Sequence, residues 1–239
     1  MKITKFTLDK PDSDGELSSS VTVSIANPSQ ETVRWLQYNA VFSTKEGFPL
    51  QCSNDCTEDC TIEPGEDFEV SPWGRGISAK VVGDSRDNVT LAVSAVLHAR
   101  EFYKLGEVDV PTGDFGSASI ERQITSGTIE GPIKVQLFRH KADDEGQTRV
   151  DCRLFVRNKS DFHLARVELK CELLDPDEAV TETSNDQVTV PARSIACIEG
   201  GIGWLKKAQF KGAKIRVSLY VFRPVHTCQC TGTSSPSED

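Results

Sequence analysis

The run Cys52-Ser-Asn-Asp-Cys56-Thr-Glu-Asp-Cys60 sets three thiols at four-residue intervals, and His226-Thr-Cys228-Gln-Cys230 adds an imidazole and two more thiols near the C-terminus. Thiolate sulfur and imidazole nitrogen are the ligands zinc prefers, and a structural site takes four of them. Cys52, Cys56, Cys60, His226, Cys228 and Cys230 are therefore a candidate metal set, for zinc or iron, with ligands to spare. Neither run has the C-x2-C spacing of common zinc knuckles, and disulfides or free thiols account for the same residues. A catalytic thiol is the least favoured reading, because no histidine is immediately adjacent to a cysteine. Acids gather in two places, Asp55, Glu58, Asp59 and Glu63 around the first run and Asp9, Asp12, Asp14 and Glu16 near the N-terminus. Either group suits calcium, but neither has EF-hand register, and acids in solvated turns supply solubility.

Other signals for chemistry are sparse. His98, His140 and His163 are scattered, which is the pattern of surface histidines. There is no Gly-x-Ser-x-Gly elbow, no glycine-rich phosphate loop and no His-Glu-x-x-His. No catalytic residue is assigned, and the expectation is a protein that is not an enzyme and has no cofactor, with zinc as the alternative. Trp73 opens Trp73-Gly-Arg-Gly76, and Trp204 closes Gly200-Gly-Ile-Gly-Trp204, 131 positions later. A tryptophan among glycines marks an exposed binding loop or plugs the open end of a β-structure. Trp73 and Trp204 are the candidate binding residues.

The elements that must position these residues are written twice. Val21-Thr-Val-Ser-Ile-Ala-Asn27, followed by Val33 to Phe42, has its counterpart in Cys152-Arg-Leu-Phe-Val-Arg-Asn158, followed by Leu164 to Leu173. The same 131-residue offset superposes Gly15 on Gly146, Val23 on Leu154 and Leu36 on Val167. A tandem repeat follows. Ser19 to Ala26 alternates apolar and polar residues, as do Val89 to Leu97, Val150 to Val156 and Ile215 to Phe222, and period two means strands buried on one face. Asn27-Pro28, Lys45-Glu-Gly47, Pro64-Gly65, Asp143 to Gly146 and Asp175-Pro-Asp are turns by composition. Helical periodicity is nearly absent, so the expected class is all-β, as two tandem immunoglobulin-like antiparallel β-sandwiches. The Cys…Trp…Cys spacing of antibody-type domains is missing. The expected boundaries are residues 1–111 for the first copy, with a cysteine-rich loop at 52–60; 112–132 for a glycine-rich linker on which Ile120 and Ile124 dock; 133–230 for the second copy; and 231–239 for a disordered tail. Glu101 to Val110 is read as the hairpin partner of Val89 to Leu97.

At 239 residues the chain has room for two cores, and 37% hydrophobic with 26% charged residues is globular. No apolar run approaches the ~18–20 residues that cross a bilayer. Met1 to Asp9 alternates as a strand and does not read as a signal peptide. A net charge of −9 repels phosphate backbones and anionic lipid. The expectations are a soluble, cytoplasmic protein with no nucleic-acid partner and no membrane insertion. Eight cysteines in that setting point to reduced thiols or metal ligands.

Ile25-Ala-Asn27-Pro28, Gly47 and Ile62-Glu-Pro64-Gly65-Glu66 resemble the water-stress and hypersensitive-response domain of late-embryogenesis-abundant proteins, with its Asn-Pro turn between two strands. Val156-Arg-Asn158-Lys-Ser160, Val167-Glu-Leu169 and Leu219-Tyr-Val-Phe222 resemble the bacterial FxLYD-type domain. The resemblance covers about residues 20–70 and 150–222, and the second copy departs from it in lacking the proline after Asn158. It implies small β-sandwich modules with binding, scaffolding or protective roles and no catalytic residues. The reading is a non-enzymatic module that binds or assembles with a protein partner, with oligomers forming through sheet edges. Its rivals are a metal-binding protein and a stress-protective protein.

Overall fold

The computed structural model describes residues 1–73, 77–82, 88–112 and 116–236, with backbone alone at 54, 55 and 236. The chain is all-β, built on mainly antiparallel sheets, and the described residues include one four-residue helix and one short 3-10 turn. It divides into two compact units, Met1–Ala99 with Pro224–Asp239, and Arg100–Arg223.

In the first unit the strands are β1 (Lys2–Leu8), β2 (Glu16–Leu17), β3 (Ser19–Ala26), β4 (Val33–Thr44), β5 (Pro49–Ile62), β6 (Asp67–Val70), β7 (Ile77–Ser78) and the first half of β8 (Val89–Asp109). One sheet runs β1-β3-β6, and in the other β4 lies between β5 and β8. Period-two alternation decides which side chains enter the core. Val21, Val23 and Ile25 of β3 meet Leu36, Tyr38, Ala40 and Phe42 of β4, and Leu91, Val93 and Leu97 of β8, in one buried cluster.

The second unit takes the rest of β8, then β9 (Gly116–Ile124), β10 (Gly131–Arg139), β11 (Gln147–Arg157), β12 (Leu164–Leu174), β13 (Val180–Val190), β14 (Ile195–Lys206) and the first half of β15 (Lys214–Thr233). One sheet has the order β14-β11-β10-β9; the other joins β13, β12, β15 and β8. Val135, Leu137, Val150 and Leu154 from the first and Leu169, Leu173, Val217 and Leu219 from the second share its core. Arg216 Nε to Glu107 Oε1 at 2.8 Å and Arg223 Nε to Glu101 Oε1 at 2.7 Å tie β15 to β8. Glu101 also accepts from the Tyr103 hydroxyl at 2.6 Å and from the Thr128 hydroxyl and amide at 2.9 and 3.1 Å. Burial alone would raise its affinity for a proton, but these bonds outweigh it and hold the carboxyl below its ordinary range.

The turns carry their own hydrogen bonds. Asp12 Oδ1 accepts from the amides of Asp14 and Glu16, and Asp143 Oδ1 from those of Glu145 and Gln147. Each loop then closes on a glycine with positive φ, Gly15 at +76° and Gly146 at +74°. Asn27 and Asn158 are fully buried. Asn27 Nδ2 donates to the carbonyls of Glu31 and Ile62, and its Oδ1 accepts from the amide and hydroxyl of Ser29. Asn158 Nδ2 donates to Phe162, Val190 and Pro191, and its Oδ1 accepts from Ser160 in the same way. The asparagines do more than stop a strand: each ties the strand it ends to a segment more than 30 residues further along.

Four expectations meet a different structure. Glu101 to Val110 is no hairpin partner, because β8 runs unbroken for 21 residues; His98-Ala-Arg-Glu101 holds no turn-forming residue. Within 112–132, Gly116–Ile124 is a strand paired with β10, and its Ile120 and Ile124 enter the core of the second unit; Gly113 to Phe115 lie outside the described residues. Within 231–239, β15 extends to Thr233. Ser234 exchanges bonds with Val89, and β16 (Ser235–Pro236) pairs parallel with β1; residues 237–239 lie outside the description. The 52–60 segment is no loop but the middle of β5.

Candidate functional site

The cysteines of β5 are placed by its pairing with β4. Cys56 lies opposite Tyr38, which faces the core, whereas Cys52 lies opposite Val41, which faces outward. A register shift between Tyr38 and Ala40 inserts one extra β5 residue, so a spacing of four no longer keeps the two thiols on one face. Cys52 is exposed, while Cys56 and Cys60 pack partly buried against the core of the first unit, as do Cys228 and Cys230 of β15. Cys228 Sγ lies 4.0 Å from Met1 Sδ. Burial, then Asp59 and Glu58, pushes the Cys60 thiol up to about 11, and burial also raises Cys228 and Cys230. Among the described residues no group of three or more His, Cys, Asp or Glu side chains comes together to hold a metal ion. The six candidate ligands, His226 included, are therefore not assembled into one site there.

Of the scattered histidines, His98 is buried, with its ring 4.5 Å from that of Trp35. His163 is exposed, and His140 is bonded to Asp151.

Both candidate tryptophans are exposed, Trp73 at 58% and Trp204 at 50%, so neither plugs a core. Trp73 is held through its carbonyl, which accepts from the Ser53 hydroxyl at 3.2 Å, and Gly74 to Gly76 lie outside the described residues. Trp204 stands in a built surface. It ends the glycine run of β14 beside a register shift opposite Thr148 and Val150, and the Arg149 guanidinium covers its ring at 5.6 Å from the centroid. Phe138, Phe155, Asp151 and Arg153 point outward from the same sheet, Phe155 60% exposed.

Trp204, Arg149, Phe138, Asp151 and Arg153, but not Phe155, line a groove of about 970 Å³ within the second unit. Glycine is required along its β14 side. A Cβ on Gly200 would sit 2.5 Å from Asp186 Oδ2, and one on Gly201 would sit 2.6 Å from the Val150 carbonyl. Several of its charged groups are paired: Asp151 Oδ2 with His140 Nε2 at 2.5 Å and with Arg149 Nη2 at 2.9 Å, and Arg153 Nε with Glu199 Oε1 at 2.7 Å. Arg149 Nε is buried without a partner. The Thr148 hydroxyl donates to the His140 backbone carbonyl, while the His140 ring is bonded to Asp151. The groove presents an aromatic ring and a planar cation beside the glycines of β14. Sequence reading found Trp204 through its glycines; it missed Phe138, Phe155 and Arg149, which look like ordinary outward strand residues until the pairing of β10, β11 and β14 aligns them.

No family model matches the chain, and no curated protein matches it. Among solved structures it is similar to the isomalto-dextranase of Arthrobacter globiformis T6 complexed with panose, at 12% identity over 97% of this chain and 36% of that one, with a TM-score of 0.20. The chain thus spans about a third of that enzyme's length, and a likeness at this level carries no argument about activity.

Proposed function

We propose that the protein is a non-catalytic binding protein made of two copies of one immunoglobulin-like β-sandwich, and that it holds a protein partner on the outer face of β10, β11 and β14. The repeat is supported by the matching bonds of Asn27 and Asn158 and of Asp12 and Asp143 at one offset. The observation that carries the binding reading is the grouping of Trp204, Phe138 and Arg149 along one groove, since aromatic residues and arginine are the side chains that dominate protein interfaces. This face is favoured over strand addition at the long edge strand β5, whose register shifts and acidic Glu58 and Asp59 are devices that discourage pairing.

The test is capture from an extract of the source cells on immobilised full-length protein, with Trp204→Ala and Phe138→Ala run beside the wild type. A stoichiometric protein retained by the wild type and reduced about tenfold or more by each substitution supports the face. A protein retained equally by all three, or none retained, overturns it. Both side chains are exposed, so unchanged melting temperatures serve as the control for folding.

A further inference from the structure

Cys152 of β11 and Cys171 of β12 belong to different sheets of the second unit, yet their sulfurs lie 3.1 Å apart in its core. Each residue is about 1% exposed, and the core around them is apolar. At the positions 131 residues earlier the first unit has Val21 and Ala40, buried on β3 and β4. Apolar side chains therefore suffice at these two places in the first unit, where the second unit sets two thiols in contact.

We propose that Cys152 and Cys171 are an oxidative modification site that joins the two sheets of the second unit as a disulfide. The oxidant is a small-molecule disulfide of the oxidised glutathione class. One cysteine thiolate attacks a sulfur of the oxidant, whose S–S bond breaks and releases one small thiolate. The second cysteine thiolate attacks the protein-bound sulfur of that mixed disulfide and releases the other. The two protons lost by the cysteines pass to the two departing thiolates, so the protein is oxidised by two electrons and the small disulfide is reduced. The contact with Cys152 and then burial keep Cys171 a neutral thiol in the folded unit, and neither sulfur reaches solvent. The exchange therefore belongs to folding, before the sheets close. Afterwards the bond is shielded from reductant. It ties together residues 19 apart in sequence and stabilises by restricting the unfolded chain.

The experiment refolds full-length, reduced protein in glutathione buffer or in excess reductant, then alkylates it in denaturant and maps the peptides. The expected result in glutathione is two alkylations fewer than the eight available cysteines, a single linked peptide joining Cys152 to Cys171, and a melting temperature higher by on the order of 10 °C. A Cys152→Val, Cys171→Ala variant, carrying the residues of the first unit, is expected to melt at the same temperature from both buffers with all its remaining thiols alkylated. Recovery of Cys152 and Cys171 alkylated after glutathione refolding, or linked to other cysteines, overturns the proposal, and the peptide map decides this whether or not the variant folds.

Discussion

Asn27 and Asn158 show how much one side chain can organise. Each is buried because its amide stands in for a strand's missing backbone partners, donating to carbonyls from a different segment while its oxygen closes a serine turn. Replacing Asn158 by alanine leaves the carbonyls of Phe162, Val190 and Pro191 without that donor. With about 1–3 kcal/mol for each buried group left unsatisfied and partial relaxation, the expected loss is about 2–4 kcal/mol, read from urea unfolding; a variant as stable as wild type would show the network to be dispensable. Glu101 works through charge. Its folded proton affinity is lowered, so its stabilisation is present above the ordinary unfolded carboxylate range near ~4.3 and is lost as pH falls through the lower folded value. Glu101→Gln is expected to reduce the urea midpoint at neutral pH and to flatten its decline on acidification. A midpoint that falls as steeply with acid as the wild type's would assign that decline to other groups.

At the scale of elements, strand pairing decides what a spacing means. Along an ideal strand, residues four apart share a face; the extra residue in β5 turns Cys52 away from Cys56. Alkylation with iodoacetamide near pH 8, followed by peptide mass spectrometry, should modify Cys52 first of the three β5 cysteines and Cys60 last, since Cys60 is partly buried with its thiol pushed up to about 11. Equal rates at Cys52 and Cys60 would contradict this placement. In β14 the glycines admit Asp186 and the β11 backbone to close range, and the adjoining tryptophan then has open surface in front of it.

For the whole molecule, the division of the chain is the main consequence of β8 and β15. Each strand begins in one unit and ends in the other, so the second unit is an insertion bounded by Arg100 and Arg223. Its ends lie side by side, since Arg223 reaches Glu101 at 2.7 Å, and it has a core of its own. A fragment of residues 100–223 is therefore expected to melt cooperatively by circular dichroism. A fragment of 133–230, the unit expected from the repeat, lacks β9, Leu105 of β8 and the following Val110, and should not. The opposite result would sink the division proposed by the contacts.

How much was legible in the sequence follows from the range of the interactions involved. The bounds of β3, the aspartate and proline turns, and the all-β class come from alternation and turn chemistry, which act over a few residues and are written locally. Trp204 was legible for the same reason, as an aromatic residue beside glycines. The sequence by itself could not determine that β8 passes straight through an expected hairpin, that Ile120 and Ile124 belong to a strand, or that Cys152 and Cys171 meet while the β5 cysteines part. Those outcomes depend on which strand pairs with which and in what register, and pairing brings together residues far apart in the chain. Only the tertiary structure decides them, because a shift of one residue in register exchanges the two faces of a strand and with them the neighbours of every side chain it carries.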